Sequence, residues 1–201
     1  MNNADTYKTI LAPSEGLFKD RGSKFLSFAF PVDTEEEVKL IIAEIRKKFH
    51  DAKHYCYAYK LGTNNFSYRM NDDGEPSGTG GRPIYGQILS FGLTNILILV
   101  VRYFGGKLLG TGGLINAYKS ASADALRNAR LEEKILQDVI TLDFNYKDVN
   151  DVNRILKSYN CDIDNQIFDV SCHYQIKVRK AFSKGLQDKL AFLNDIKVVL
   201  K

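Results

Sequence analysis

The chain has three cysteines, Cys56, Cys161 and Cys172, and no Cys-x-x-Cys pair. An odd count without that spacing points to neither a disulfide framework nor a structural zinc site, so reduced thiols are expected. No stretch of about 18 apolar residues is present to cross a membrane. The opening Met1-Asn-Asn-Ala-Asp-Thr-Tyr7 has neither the basic start nor the apolar stretch of a secretory signal. The expectation is a cytoplasmic protein with no membrane partner. Charge of one sign is also scarce: net charge is +4, from 28 Lys and Arg against 24 Asp and Glu. Residues 132–201 hold 11 of each sign, so the surplus lies before them, as 17 basic against 13 acidic residues. That excess is compatible with a phosphate or RNA partner, but a dedicated nucleic-acid binder carries a denser basic stripe, and no DNA specificity is expected.

What is present is enough for a core: 44% of the 201 residues are hydrophobic, which suits one large or two small domains. Phe18, Phe25, Phe28 and Phe30 around Gly22-Ser23 predict a hairpin over residues 16–32, and Thr34-Glu-Glu-Glu37 is a capping box opening a helix through about Phe49. His54–Leu61 reads as a strand, residues 84–91 as a short helix, and Ile96–Tyr103 as a buried strand. After a helix ending near Arg130 the pattern restarts. Residues 135–144, 163–170, 174–178 and 196–200 read as strands, with helices at 149–159 and 182–193, giving the order βαββαβ of a ferredoxin-like domain. The chain is therefore α+β, with domains at 1–131 and 132–201.

Two glycine-rich segments carry the candidate chemistry. Val100-Val-Arg-Tyr-Phe-Gly-Gly-Lys-Leu-Leu-Gly-Thr-Gly-Gly-Leu114 leaves a buried strand and enters a helix. Gly105, Gly106, Gly110, Gly112 and Gly113 let backbone approach a ligand, and the helix start offers unpaired N–H groups to an anion. Gly105 and Gly110 have phosphate-loop spacing, but Thr111-Gly112 stands where that motif needs Lys-Ser/Thr, and Lys107 is displaced into the loop. Nucleotide hydrolysis of that type is not expected; phosphate binding survives. Arg102, Tyr103 and Phe104 resemble a surface for stacking bases and pairing phosphate. The structural alternative pairs Arg102 with Asp72, Asp73 or Glu75.

The second segment, Asn71-Asp-Asp-Gly-Glu-Pro-Ser-Gly-Thr-Gly-Gly-Arg-Pro83, has three carboxylates, two hydroxyls and almost nothing to bury, so it is a surface loop. No cofactor is expected; in a functional reading Asp72, Asp73 and Glu75 hold Mg²⁺ while Ser77, Thr79 and the amides from Gly78 to Gly81 face a phosphate. In a structural one the carboxylates cap backbone amides. An EF-hand match fails at Arg69 and Gly80. His50, His54 and Cys56 are zinc-type ligands whose spacing crosses a helix-to-strand turn, so they diverge. No nucleophile, base and acid set is legible: His173 lies in the second domain and Ser77 has no assignable partner.

Three blocks resemble the YigZ/Impact family: Asp51-Ala-x-His-x-Cys-Tyr-Ala-Tyr59, Asp72-Asp-Gly-Glu-Pro-Ser-Gly-Thr-x-Gly81, and Val100-Val-Arg-Tyr-Phe-Gly-Gly-x-x-Leu-Gly-x-Gly-Gly-Leu114 with Ala117-Tyr118. The resemblance covers about residues 15–130. It implies a first domain of the ribosomal protein S5 domain 2-like fold and a ferredoxin-like second domain similar to one in elongation factor G. In eukaryotic relatives the shared domain takes part in translational control. Leu108 and Asn116 stand where the family usually has lysine and arginine. The expected function is a non-enzymatic, translation-associated binding or regulatory protein, contacting RNA or a ribosome-associated protein through the acidic loop and Arg102–Lys107. The alternative is a Mg²⁺-dependent enzyme or binder acting on a nucleotide or phosphorylated small molecule.

Overall fold

A computed structural model describes residues 5–63, 66–193 and 195–200. The chain separates into two compact units, Tyr7–Glu133 and a second that joins Asp5 and Thr6 to the residues from Lys134 onward.

The first unit runs β1 (Thr6–Ile10), β2 (Ser14–Asp20), β3 (Ser23–Pro31), α1 (Glu35–Lys48), β4 (His54–Leu61), β5 (Ser67–Asn71), α2 (Gly81–Ser90), β6 (Ile96–Tyr103) and α3 (Gly110–Asn128). Five strands form an antiparallel sheet in the order β2-β3-β6-β4-β5. The central strand β6 explains its own sequence. Ile96, Ile98 and Val100 join the core formed with α2 and α3, while Leu97, Leu99 and Val101 join the one formed with Val38 and Ile45 of α1. A strand covered on both faces has no polar side to alternate with, hence the unbroken apolar run.

Helix α3 lies close to the sheet because its inner face is small: Ala117, Ala121 and Ala125 are fully buried. Ser27 Oγ donates to the Ala121 carbonyl at 2.6 Å, and Ser14 Oγ to that of Ala125 at 2.9 Å. At the start of α1, Thr34 Oγ1 accepts the Glu37 amide at 3.2 Å, as the capping box predicts. The return bond differs, since the Glu37 carboxylate accepts from the Asp33 N–H at 2.8 Å. Helix α2 begins three residues earlier than its apolar pattern, because Pro83 is tolerated in a first turn. Strands β1 and β5 escape the sequence pattern; β5 is an edge strand with exposed Ser67, Tyr68, Arg69 and Met70.

After β7 (Leu131–Ile135), the second unit has β8 (Gln137–Phe144), α4 (Val149–Ser158), β9 (Asp162–Phe168), β10 (Cys172–Arg179), α5 (Lys180–Ala191) and β11 (Lys197–Leu200). The element order βαββαβ is the one the periodicity predicts. Its sheet order is β11-β8-β10-β9, with every pairing antiparallel. Ile140, Leu142, Phe144, Tyr174 and Ile176 of the sheet pack with Val152, Leu156, Leu186 and Leu190 of the helices. The predicted strand from Ile135 is interrupted at Leu136, whose N–H donates to the Asp5 carbonyl at 2.7 Å and whose carbonyl accepts from Lys180 at 2.8 Å. Asp5 belongs here for a second reason: Arg179 Nη2 donates to its Oδ1 at 2.9 Å, and Nε contacts Oδ2. A division of the chain at residue 131 places Asp5 in the other half, because an ion pair across 174 residues leaves no local signal. Among the described residues no helix is long and apolar enough to cross a membrane.

The Arg179 guanidinium holds the Asp5 carboxyl below its ordinary pKa of 3.8. A carboxyl depressed on folding contributes stability that is present above the unfolded pKa and is lost as pH falls through the folded one. Asp5→Asn is therefore expected to lower the melting temperature of the second unit at pH 7, with the gap from the parent closing below about pH 4, as read by calorimetry across pH.

Candidate functional site

The acidic loop between β5 and α2 is organised by its own carboxylates. Asp72 Oδ1 accepts the amides of Gly80 and Gly81 at 2.9 and 2.8 Å, and its Oδ2 accepts that of Gly78 at 2.8 Å. The amide cradle expected to face a phosphate thus encloses Asp72. Thr79 Oγ1 donates to the Pro76 carbonyl at 2.6 Å, so it too is turned into the loop; Ser77 is exposed. Gly80 has a steric reason to be glycine, since a Cβ there would lie 2.6 Å from Cys56 Sγ.

The three carboxylates expected to converge on Mg²⁺ face three sets of partners. Asp73 Oδ1 accepts from Arg46 Nη2 at 2.5 Å and Oδ2 from the Tyr55 amide at 2.8 Å. Glu75 points inward, where Oε1 accepts from Arg102 Nη1 at 2.6 Å and from the Tyr118 hydroxyl at 2.8 Å. This donor set fits the protein's own cations and amides rather than one shared ion. Likewise His54 Nδ1 meets the Asp73 carbonyl at 2.9 Å and Cys56 Sγ donates to the Asp72 carbonyl at 3.0 Å, so neither shares a ligand with His50. Among the described residues no group of three His, Cys, Asp or Glu side chains is placed to hold a metal.

Arg102 and Glu75 form a buried ion pair, with side chains 7% and 3% exposed. The Arg102 guanidinium lies 5.5 Å from the Phe25 ring and 5.7 Å from the Phe104 ring, and Phe25 meets Tyr118 edge to face at 5.1 Å. Arg102 Nε is buried with no protein partner among the described residues. Burial pushes the Tyr118 hydroxyl and the Cys56 thiol well above their ordinary pKa values, so both stay protonated and Cys56 is no nucleophile.

The second glycine segment is shorter as a loop than its composition suggests. Gly110, Gly112 and Gly113 belong to the first turn of α3, leaving 104–109 as the connection from β6. Gly105 is fixed by a close approach: a Cβ there would lie 1.9 Å from the carbonyl carbon of Gly22, and its amide donates to Ser23 Oγ at 3.1 Å. Gly106, Lys107, Gly110 and Gly112 are exposed. Helix α3 starts without a side-chain cap and without an acidic residue in its first turn, leaving its positive end uncompensated.

Strand β6 ends on Tyr103, and Tyr103 and the following Phe104 line two open clefts. One, of about 300 Å³, is bounded by Asp51, Ala52, Lys53, Arg102, Tyr103 and Phe104. The other, of about 400 Å³, is bounded by Gly22, Lys24, Leu26, Tyr103 and Phe104. Phe104 is 53% exposed. The Tyr103 hydroxyl donates to Asp51 Oδ1 at 2.7 Å, which holds the Asp51 carboxyl below its ordinary range and pushes the Tyr103 hydroxyl up to about 12. Lys24, Lys53 and Lys107 are exposed, and their side chains have no ion pair or hydrogen bond among the described residues. Sequence reasoning brings Tyr103, Phe104 and Lys107 together but misses Lys24, Asp51 and Lys53, which the sheet order delivers from separate stretches. The register that sets Lys24 opposite Tyr103, and His54 opposite Arg102, is the signal that brings them together.

The second unit holds a nucleophile, base and acid sequence that is not legible in the primary structure. Ser171 Oγ lies 3.1 Å from His173 Nε2, and His173 Nδ1 contacts Asp143 Oδ1. Register places it: His173 and Asp143 are directly opposed on β10 and β8. The His173 and Asp143 side chains are 44% and 34% exposed.

Residues 21–126 match the Impact N-terminal domain. An IMPACT family member of Haemophilus influenzae is 32% identical over 173 residues, covering 83% of this chain and 84% of the relative. The IMPACT family member YigZ of Escherichia coli is 31% identical over 90% of this chain and 89% of its own length. A crystal structure of a hypothetical protein superposes with a TM-score of 0.73 at 27% identity, covering 97% of both chains.

Removing one member of a buried ion pair leaves the other uncompensated, at a cost of about 3–5 kcal/mol, whereas replacing both by apolar groups is close to neutral. Glu75→Ala is expected to destabilise the first unit by about that amount, and Glu75→Leu with Arg102→Met by much less, in urea unfolding of the full chain.

Proposed function

The chain belongs to the IMPACT family, and from that premise we propose that it is a non-enzymatic, translation-associated binding protein that contacts RNA through the Tyr103 and Phe104 face of its first unit. The observation that carries this reading is an exposed aromatic between two open clefts, one lined by Lys53 and the other by Lys24, with Lys107 exposed in the loop that follows. An aromatic face stacks a base of any sequence, and free ammonium groups neutralise the phosphates beside it. The uncapped positive end of α3 adds to the same potential.

The theme of translation comes from the family resemblance, whose eukaryotic members use the shared domain in translational control. The resemblance also gives the fold names: S5 domain 2-like for the first unit and ferredoxin-like, similar to a domain of elongation factor G, for the second. Support for the latter is the βαββαβ order with sheet order β11-β8-β10-β9. Binding is favoured over turnover of a nucleotide because both oxygens of Asp72 and of Asp73, and Oε1 of Glu75, are already committed to Arg46, Arg102, Tyr118 and backbone amides. A second reading, a protein partner of the translation apparatus, draws on Leu108, 82% exposed in the loop, and Ile115, 42% exposed on the first turns of α3.

Anisotropy of a labelled single-stranded RNA across a salt series tests the proposal. Phe104→Ala is expected to weaken binding by about 1–3 kcal/mol, the usual worth of one stacked base. Replacing Lys24, Lys53 and Lys107 by alanine together should reduce the slope of log K against log salt by about 2, near 0.7 for each lost phosphate contact. No binding at low salt, or a Phe104→Ala variant that binds as the parent does, sinks the RNA reading and leaves the Leu108 and Ile115 surface to be tested against protein.

A further inference from the structure

We propose that the cleft between Asp51 and Phe104 receives one unpaired RNA base, and that Asp51 selects a base bearing an amino group on its pairing edge, guanine foremost. The inference rests on the RNA reading above and deepens it.

Size and shape come first. About 300 Å³ is at the small end of ligand pockets, enough for one nucleotide and too little for a duplex. A base reaches such a cleft only after leaving its stack, and bases inside an A-form helix are not presented to side chains in this way. The Phe104 ring forms one wall and offers a stacking face, and Lys53 on the rim suits the phosphate beside it.

Chemistry then narrows the base. Asp51 is held in place by the Tyr103 hydroxyl, which occupies one of the roughly four acceptor sites of a carboxylate and leaves capacity for a ligand. Its lowered pKa keeps it ionised, so it accepts and never donates. Guanine presents two adjacent donors, N1–H and the N2 amino group, which match the two oxygens of a carboxylate. Cytosine and adenine present one amino group beside an acceptor. Uracil presents one N–H flanked by two carbonyl oxygens, which a carboxylate repels.

The test uses the full chain and four labelled RNAs of equal length: all-uridine, the same strand with one central guanosine, that strand with inosine in place of guanosine, and a duplex. Guanosine should tighten binding about tenfold over uridine, the size of one good base-edge contact. Inosine, which lacks the N2 amino group, should lose part of that gain, and the duplex should bind more weakly than any single strand. Asp51→Asn should close the gap between guanosine and uridine, by losing the guanosine contact and by removing the carboxylate that repels uracil, with its fold checked by thermal melting. Equal affinity for guanosine and uridine, an unchanged gap in Asp51→Asn, or tight duplex binding overturns this inference while the RNA reading stands. Absence of binding to every strand overturns both. Should Asp51→Asn fail to fold, the inosine comparison in the parent chain decides alone.

Discussion

The ion pair between Arg102 and Glu75 is the constraint on which the first unit turns. Glu75 comes from a polar loop and Arg102 from the end of the central strand, and burying either alone would cost several kcal/mol. Together they share Glu75 Oε1 with Tyr118 of α3, so one carboxylate oxygen ties the loop, the sheet and the helix. Everything nearby follows from that anchor. The loop must close over it, which brings the Asp72 carboxylate onto the amides at the start of α2, and Cys56 onto the Asp72 carbonyl. Phe104 lies against the guanidinium it also helps to cover.

This arrangement separates two kinds of polar residue that look alike in sequence. Asp72, Asp73 and Glu75 accept hydrogen bonds from partners within the unit. Outside, the exposed ammonium groups of Lys24, Lys53 and Lys107 have no ion pair or hydrogen bond among the described residues. The acidic loop is held by Arg46, the Tyr55 amide, Arg102 and Tyr118, and so is tied to the strand end that precedes Tyr103 and Phe104. A rigid aromatic ridge with lysines around it needs little reorganisation to bind a chain of stacked bases and phosphates.

Legibility divided along the same line. Strand β6 was readable because burial on both faces leaves an unbroken apolar run, and α1 because its cap and end charges are local. The βαββαβ order of the second unit was readable from alternating periods. The glycine segments were readable as unusual but not as to purpose, since nothing local says that Asp72 will fill the amides eight and nine residues later. The cleft lining depended on strand order: Lys24, Lys53 and Phe104 meet only because β3 and β4 flank β6. The same holds for Ser171, His173 and Asp143, joined by ladder register, and for Asp5 and Arg179 at opposite ends of the chain.

The most direct test of the account is the location of photochemical cross-links between the full chain and a bound single-stranded RNA, mapped by mass spectrometry. The account predicts cross-links at Tyr103 and Phe104, with none in the acidic loop 72–81. Cross-links concentrated in that loop, or in residues 134–200 with none at Tyr103 or Phe104, would contradict it.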